Sequence, residues 1–294
     1  MLNQTSVAAA RAGGKRARPR VIEIGDQSIF VDDCVTVLAA LPEKSVDVVV
    51  TSPPYNIGLR YSSYDDGGSR AEYLAWLSDV ALLLKRVMKD DASFFLNIAG
   101  TSSDPWIAPD AANAMRDAFR LQNSIVWVKS LSIGDDTFGH FKPVNSPRYL
   151  NHTHEHVFHF TKEGATPLDR LAVGVPFKDK SNIARWGHTE DRRCAGDVWF
   201  IPYETIRSKA QRDHHPSPFP VALPERCIRL AGVAGTHAEA GAGARAEQPL
   251  VLDPFLGIGS TLLAAQRLGC RGIGIEIDPG YADSAAWRLR ERLI

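Results

Sequence analysis

The sequence predicts an α/β protein with a mostly parallel sheet covered by helices on both faces. Three observations point there. Short β-branched or aromatic runs, among them VDVVV (46–50), ASFFLNIAG (92–100) and SIVWVKS (124–130), read as buried strands. They alternate with segments whose apolar residues recur at helical spacing. A glycine turn joins the strand PLVLDPF (249–255) to the helix STLLAAQRLG (260–269), a join typical of parallel sheets.

In chain order, residues 1–20 carry Arg11, Lys15, Arg16, Arg18 and Arg20 with no acid, and read as a solvated basic tail. A loose grip on phosphates is the alternative reading of that tail. From 21 to 162 lies the first half of the main domain. SIFVDD (28–33) and VDVVV read as strands, and the basic-ended segment 70–90, RAEYLAWLSDVALLLKRVMKD, as an amphipathic helix. ASFFLNIAG, SIVWVKS and EHVFHFTK (155–162) complete that half. Residues 163–213 are polar, mixed in charge and without a long periodic segment, which suits a recognition surface or a lid. The second half, 214–294, holds a Pro-capped helix in HPSPFPVALPERCIRLAG (215–232) and a low-complexity loop at 232–248. It ends with the glycine turn, the strand CRGIGIEID (270–278) and a last helix.

The totals set bounds. With 294 residues, 44% of them hydrophobic, the chain can bury one large core. Lys+Arg and Asp+Glu both number 34, so a nucleic-acid surface has to come from local pattern and not from bulk charge. Cys34, Cys194, Cys227 and Cys270 lie far apart without a CxxC pair, which suits a reduced compartment with no disulfide frame. No apolar run approaches 18 residues, and a cytoplasmic protein without a membrane segment is expected.

Two motifs carry chemistry. In DPFLGIGST (253–261), Gly257 and Gly259 let backbone approach a ligand that a Cβ would hold off. Leu262 takes the place of the third glycine of a dinucleotide fingerprint, which disfavours a pyrophosphate. Glu276 ends the next strand, where an acid can accept from both hydroxyls of a ribose. A nucleoside cofactor lacking phosphates satisfies both, and S-adenosylmethionine is the one expected. The second motif is TSPPYNIG (51–58). Ser52 and Pro53 each precede a proline, so their carbonyls are held in fixed directions, and neither Pro53 nor Pro54 has an N–H. The outcome is a stiff, acceptor-rich ledge at the end of a strand. The amino group of cytosine or adenine is a poor nucleophile because its lone pair is delocalised into the ring. Ser52 Oγ and the Pro53 carbonyl, accepting its two hydrogens, would favour the pyramidal form that can attack a methyl sulfonium. The base has to be flipped out of its duplex, and Tyr55 offers a face to stack on.

These motifs, in this order, resemble the amino-directed DNA methyltransferases of prokaryotes in their β arrangement, where the catalytic motif precedes the cofactor motif. TSPPYNIGLRYSSYDD and EYLAWL resemble the catalytic strand, loop and helix of that family. DPFLGIGST, GIEIDPGY (274–281), HPSPFPVALPERCI and FVDDCVTVL (30–38) resemble its cofactor segments. The likeness spans roughly 25–162 and 214–290. It implies a seven-stranded, circularly permuted, Rossmann-like methyltransferase fold with 163–213 as target-recognition region. It assigns Ser52, Pro53, Pro54 and Tyr55 to catalysis. Asp33, Cys34, Phe219, Pro220, Asp253, Phe255, Gly257, Gly259, Ser260, Thr261, Glu276 and Ile277 fall to the cofactor. Asp32 stands where the family usually has glycine. Serine before Pro-Pro-Tyr resembles the cytosine-N4 enzymes, adenine-N6 and a catalytically silent binder being the rivals. Double-stranded DNA is the implied partner, with a homodimer and a cognate restriction endonuclease as further possibilities.

For DNA contact the candidates are Lys129, Arg185, Trp186, His188, Arg192, Arg193, Arg207 and Lys209. Tyr61, Tyr64, Asp65, Asp66, Gly67 and Gly68 stand in a loop whose glycine pair suggests mobility and closure over the base, an ordinary flexible loop being the alternative. His152, His154 and His156 recur at period two, but an ordinary polar edge strand is the expected reading and no metal is assigned. Trp76 and Trp127 read as core.

Overall fold

The computed structural model describes residues 19–58, 67–139, 143–185, 187, 189–202, 219–234 and 248–291. Among these residues, eleven strands and seven helices follow in this order: β1 (Arg20–Ile24), β2 (Gln27–Val31), α1 (Cys34–Ala40), β3 (Val46–Thr51), α2 (Arg70–Val87), β4 (Met88–Ile98), α3 (Ile107–Ala114), β5 (Arg120–Val128), β6 (Ser130–Ile133), β7 (Asp136–Gly139), β8 (His154–Thr161), α4 (Ser181–Arg185), β9 (Val198–Phe200), α5 (Ala222–Leu230), β10 (Leu250–Asp253), α6 (Ser260–Arg267), β11 (Arg271–Glu276) and α7 (Pro279–Glu291).

Nine strands form one sheet in the order β1-β2-β11-β10-β3-β4-β8-β5-β9, and β6 with β7 makes a separate hairpin. From β2 to β4 all neighbours are parallel, and β8 runs antiparallel between β4 and β5. The sheet thus exceeds the expected seven strands by one at each edge. β1 folds back on β2 through a two-residue turn with Gly25 at a φ of 55°. β9, from the irregular 163–213 segment, pairs parallel with β5, so this part of the insert is sewn into the sheet.

The central position of β3 explains its unbroken apolar run. Val49 packs into one core with α1, α2 and α3, while Val48 and Val50 enter the other with α5, α6 and α7. Helix α2 starts at Ser69, whose Oγ accepts from the Glu72 N–H, and ends with Lys85 and Arg86, which suit the negative end of the helix dipole. Its buried stripe is Tyr73, Leu77, Val80, Ala81, Leu84 and Val87. The helix stops three residues before the expected Asp90. Met88 is fully buried and pairs with Val46, so the chain turns extended as soon as sheet pairing becomes available. Pro224 falls in the first turn of α5, where its missing N–H costs nothing. No helix among the described residues is long and apolar enough to cross a membrane.

The topology brings the functional loops together. β2, β3, β4, β5, β10 and β11 end at one edge of the sheet, and antiparallel β8 begins there. Open α/β sheets bind ligands at this edge.

Candidate active site

A cavity of about 300 Å³ opens at that edge, at the small end of the range for small-molecule sites. Its wall joins the Ser52–Tyr55 corner to the glycine turn. Ser52, Pro53, Pro54 and Tyr55 line one part, and Asp33, Cys34, Phe219, Phe255, Gly257, Ser260, Glu276 and Ile277 line the other. All four catalytic candidates and eight of the twelve cofactor candidates therefore share one space.

The glycine-turn half is held by backbone donors. The Gly257 N–H donates to Glu276 Oε2 at 2.7 Å and the Asp278 N–H to Oε1 at 2.9 Å, so the acid and the turn fix each other. Burial pushes the Glu276 carboxyl up to about 7 even so, and the negative charges of Asp278 and Asp253 push the same way. Asp33 caps α1, its Oδ1 accepting from the Val35 and Thr36 N–H groups, while its residue lines the cavity. Burial pushes the neighbouring Cys34 thiol far up, which keeps it protonated.

Pro220, Asp253, Gly259 and Thr261 are not in the cavity wall. Asp253 turns inward, where its carboxylate accepts from Thr51 Oγ1 at 2.5 Å, Thr261 Oγ1 at 2.7 Å and the Phe255 N–H at 3.0 Å. Desolvation pushes this fully buried acid up to about 6. Its role is to lock β3 to the glycine turn. Gly259 has a φ of 85°, and a Cβ there would stand 2.9 Å from Ala285 Cβ. Its smallness serves the packing of α6 on α7.

The corner half holds a buried network that sequence reasoning missed. Ser52 Oγ donates to Tyr55 Oη at 2.8 Å, and Tyr55 Oη donates to Glu155 Oε2 at 3.0 Å. Asn97 Nδ2 donates to both Tyr55 Oη and Glu155 Oε2, each at 2.6 Å. Lys129 Nζ closes the set 3.0 Å from Glu155 Oε1. Glu155 is 5% exposed. A carboxylate among the histidines and aromatics of a strand that reads HEHVFHFT was the available signal. Tyr73 Oη donates to the Pro54 carbonyl at 2.7 Å, which steadies the ledge from α2.

Other candidates fall elsewhere. The ammonium of Lys129 is engaged within the cavity wall. Arg185, Arg192 and Arg193 are exposed on the insert, whereas Trp186, His188, Arg207 and Lys209 lie outside the described residues. So do Tyr61, Tyr64, Asp65 and Asp66 of the expected closing loop. Trp127 is core as expected, but Trp76 is half-buried, lines the cavity and stands 5.3 Å from Phe255. The histidine strand is not an edge strand. β8 lies between β4 and β5, with His156 stacked on Phe158 and His152 in the cavity wall, because aromatic faces bury what looked like a polar row. Among the described residues no cluster of histidine, cysteine and carboxylate side chains converges as a metal site.

Comparison with known proteins matches residues 46–286 to the family described as DNA methylase, N6/N4 type. The chain is 27% identical over 281 residues to the Type II methyltransferase M.ScaI of Streptomyces caespitosus, covering 91% of this chain and 82% of that protein. Among solved structures it is similar to PvuII DNA methyltransferase (cytosine-N4-specific), with a TM-score of 0.65 at 22% identity, over 89% of this chain and 86% of that one. It is also similar to a DNA modification methylase of Thermus thermophilus, TTHA0409, complexed with S-adenosyl-L-methionine. There the TM-score is 0.56 at 24% identity, over 89% of this chain and 92% of that one.

Proposed function

The chain belongs to the N6/N4 DNA methylase family, and from that premise we propose that it methylates the exocyclic N4 amine of a flipped-out cytosine within a short double-stranded target. The methyl donor is S-adenosylmethionine, which when bound supplies an electrophilic sulfonium methyl. The observation that carries the cytosine reading is the serine at 52, with its only hydrogen committed to Tyr55.

The cavity fits the donor. Glu276 would hold the ribose hydroxyls, Asp33 the adenine side, and Phe255, Ile277 and Phe219 the apolar faces, with Gly257 giving close backbone approach. Ser52 Oγ, its hydrogen spent, presents only lone pairs to a ligand. With the Pro53 carbonyl it can accept the two amine hydrogens and localise the nitrogen lone pair. The Tyr55 ring would stack on the base while its hydroxyl stays on Glu155. Residues 163–213, with exposed Arg185, Arg192 and Arg193, would read the target, and Lys129 would act beside the flipped base. A partner endonuclease is consistent with the Type II relative.

Nucleoside mass spectrometry of DNA from a host lacking N4-methylcytosine, expressing this chain, tests the reading. N4-methylcytosine is the expected product. N6-methyladenine would transfer the same geometry to adenine. Absence of both marks from chromosomal DNA would favour a silent binder.

A further inference from the structure

We infer that Glu155 is the end of a proton relay that starts at the target amine and runs through Ser52 and Tyr55. The inference rests on the methyl-transfer reading of the same cavity.

Two hydrogen bonds in a row carry it. The hydroxyls of Ser52 and Tyr55 point the same way, 2.8 Å and 3.0 Å long, toward a carboxylate that can only accept. Asn97 fixes the far end with both hydrogens of its amide, so its orientation follows from the carboxylate it serves. Glu155 is buried at the start of β8 beside the cavity, where an acid without a partner would be costly. Lys129 supplies the counter-charge. A serine cannot keep a proton, and this wire gives the proton somewhere to go without opening the cavity to water.

The step balances as follows. The amine nitrogen forms its bond to the methyl carbon while the carbon–sulfur bond breaks and its electron pair stays on sulfur. As positive charge grows on nitrogen, its N–H proton passes to Ser52 Oγ. The serine hydroxyl proton moves to Tyr55 Oη, and the phenol proton to Glu155 Oε2. A sulfonium and a carboxylate are consumed, and a neutral thioether and a carboxylic acid remain. Glu155 touches no reacting atom and acts through Tyr55, so it is a positioning residue.

Glu155→Gln keeps the shape and loses the base. Tyr55→Phe keeps the ring and loses the wire. The test is the single-turnover transfer of labelled methyl to unmodified, whole-genome-amplified bacterial DNA. Each variant is expected to be about 10²-fold slower than wild type with cofactor affinity unchanged. The double variant should be no slower than either single one, because both cut the same chain. The solvent deuterium isotope effect of the wild type should shrink in both. In the cofactor-free protein, Tyr55→Phe should shift a carboxylate infrared band that Glu155→Gln removes. Multiplying effects in the double variant, or single variants with wild-type rates, would overturn the relay while leaving the methylase reading intact. A wild type that labels no DNA at all would overturn both.

Discussion

Glu276 has a consequence for pH that can be worked out from its surroundings. Its ordinary value is 4.5, and burial pushes it to about 7. The folded chain therefore binds a proton there that the unfolded chain has lost, and this group lowers stability as pH rises from 4.5 towards about 7. A ribose diol donating to the carboxylate favours the ionised form. Affinity for S-adenosylmethionine should rise about tenfold between pH 6 and pH 8, with a proton released on binding. Titration calorimetry in two buffers of different ionisation enthalpy reads both. A flat profile would remove the ribose role. The two glycines of the turn divide similarly. Both have positive φ, but Gly257 lines the cavity while Gly259 meets Ala285. Sequence could name the pair but not separate them, because the partner of Gly259 comes from the last helix, 26 residues further on.

At the scale of elements, β8 carries the least expected chemistry. Glu155 and His159 are both buried on it, the first in the cavity wall and the second in the core. His159 stacks on Phe95 at 4.6 Å, with Nδ1 2.9 Å from Asn123 Nδ2 and Nε2 3.1 Å from Ser93 Oγ. Burial lowers it from 6.5 to about 4, so it is held neutral. The unfolded chain takes up a proton first as pH falls, and His159 thus contributes stability that is full above 6.5 and lost towards about 4. His159→Gln should flatten the decline in thermal midpoint across that window, measured by circular dichroism. An unchanged slope would mean that another group governs it. The strands around it were legible where apolar runs met turn residues, as at β3, β10 and β11. The hairpin of β6 and β7, the helix α3 and the pairing of β9 were not read. They are short or partly exposed, and they owe their place to tertiary partners and not to period. The motifs Ser52–Tyr55 and Asp253–Thr261, read from the sequence, meet at one cavity, whereas Asn97 and Glu155 required knowing that β4 and β8 lie side by side.

Across the whole molecule, one sheet edge brings two groups of loops to a single cavity. Loops after β10, β11 and β2 line the half that would hold the cofactor, and those around β3, β4, β5 and β8 the half that would hold the base. Asp253 links them through Thr51, which ties the glycine turn to β3. The two halves should be separable by mutation. The most direct measurement is a paired one on Gly257→Val and Tyr55→Ala: the Kd for S-adenosylmethionine, and the rate of methyl transfer to unmodified whole-genome-amplified DNA. Gly257→Val is expected to abolish cofactor binding. Tyr55→Ala is expected to keep the wild-type Kd and transfer at least about 10²-fold more slowly. Wild-type transfer by Tyr55→Ala, or an unchanged Kd in Gly257→Val, would contradict the division of the cavity on which the function rests.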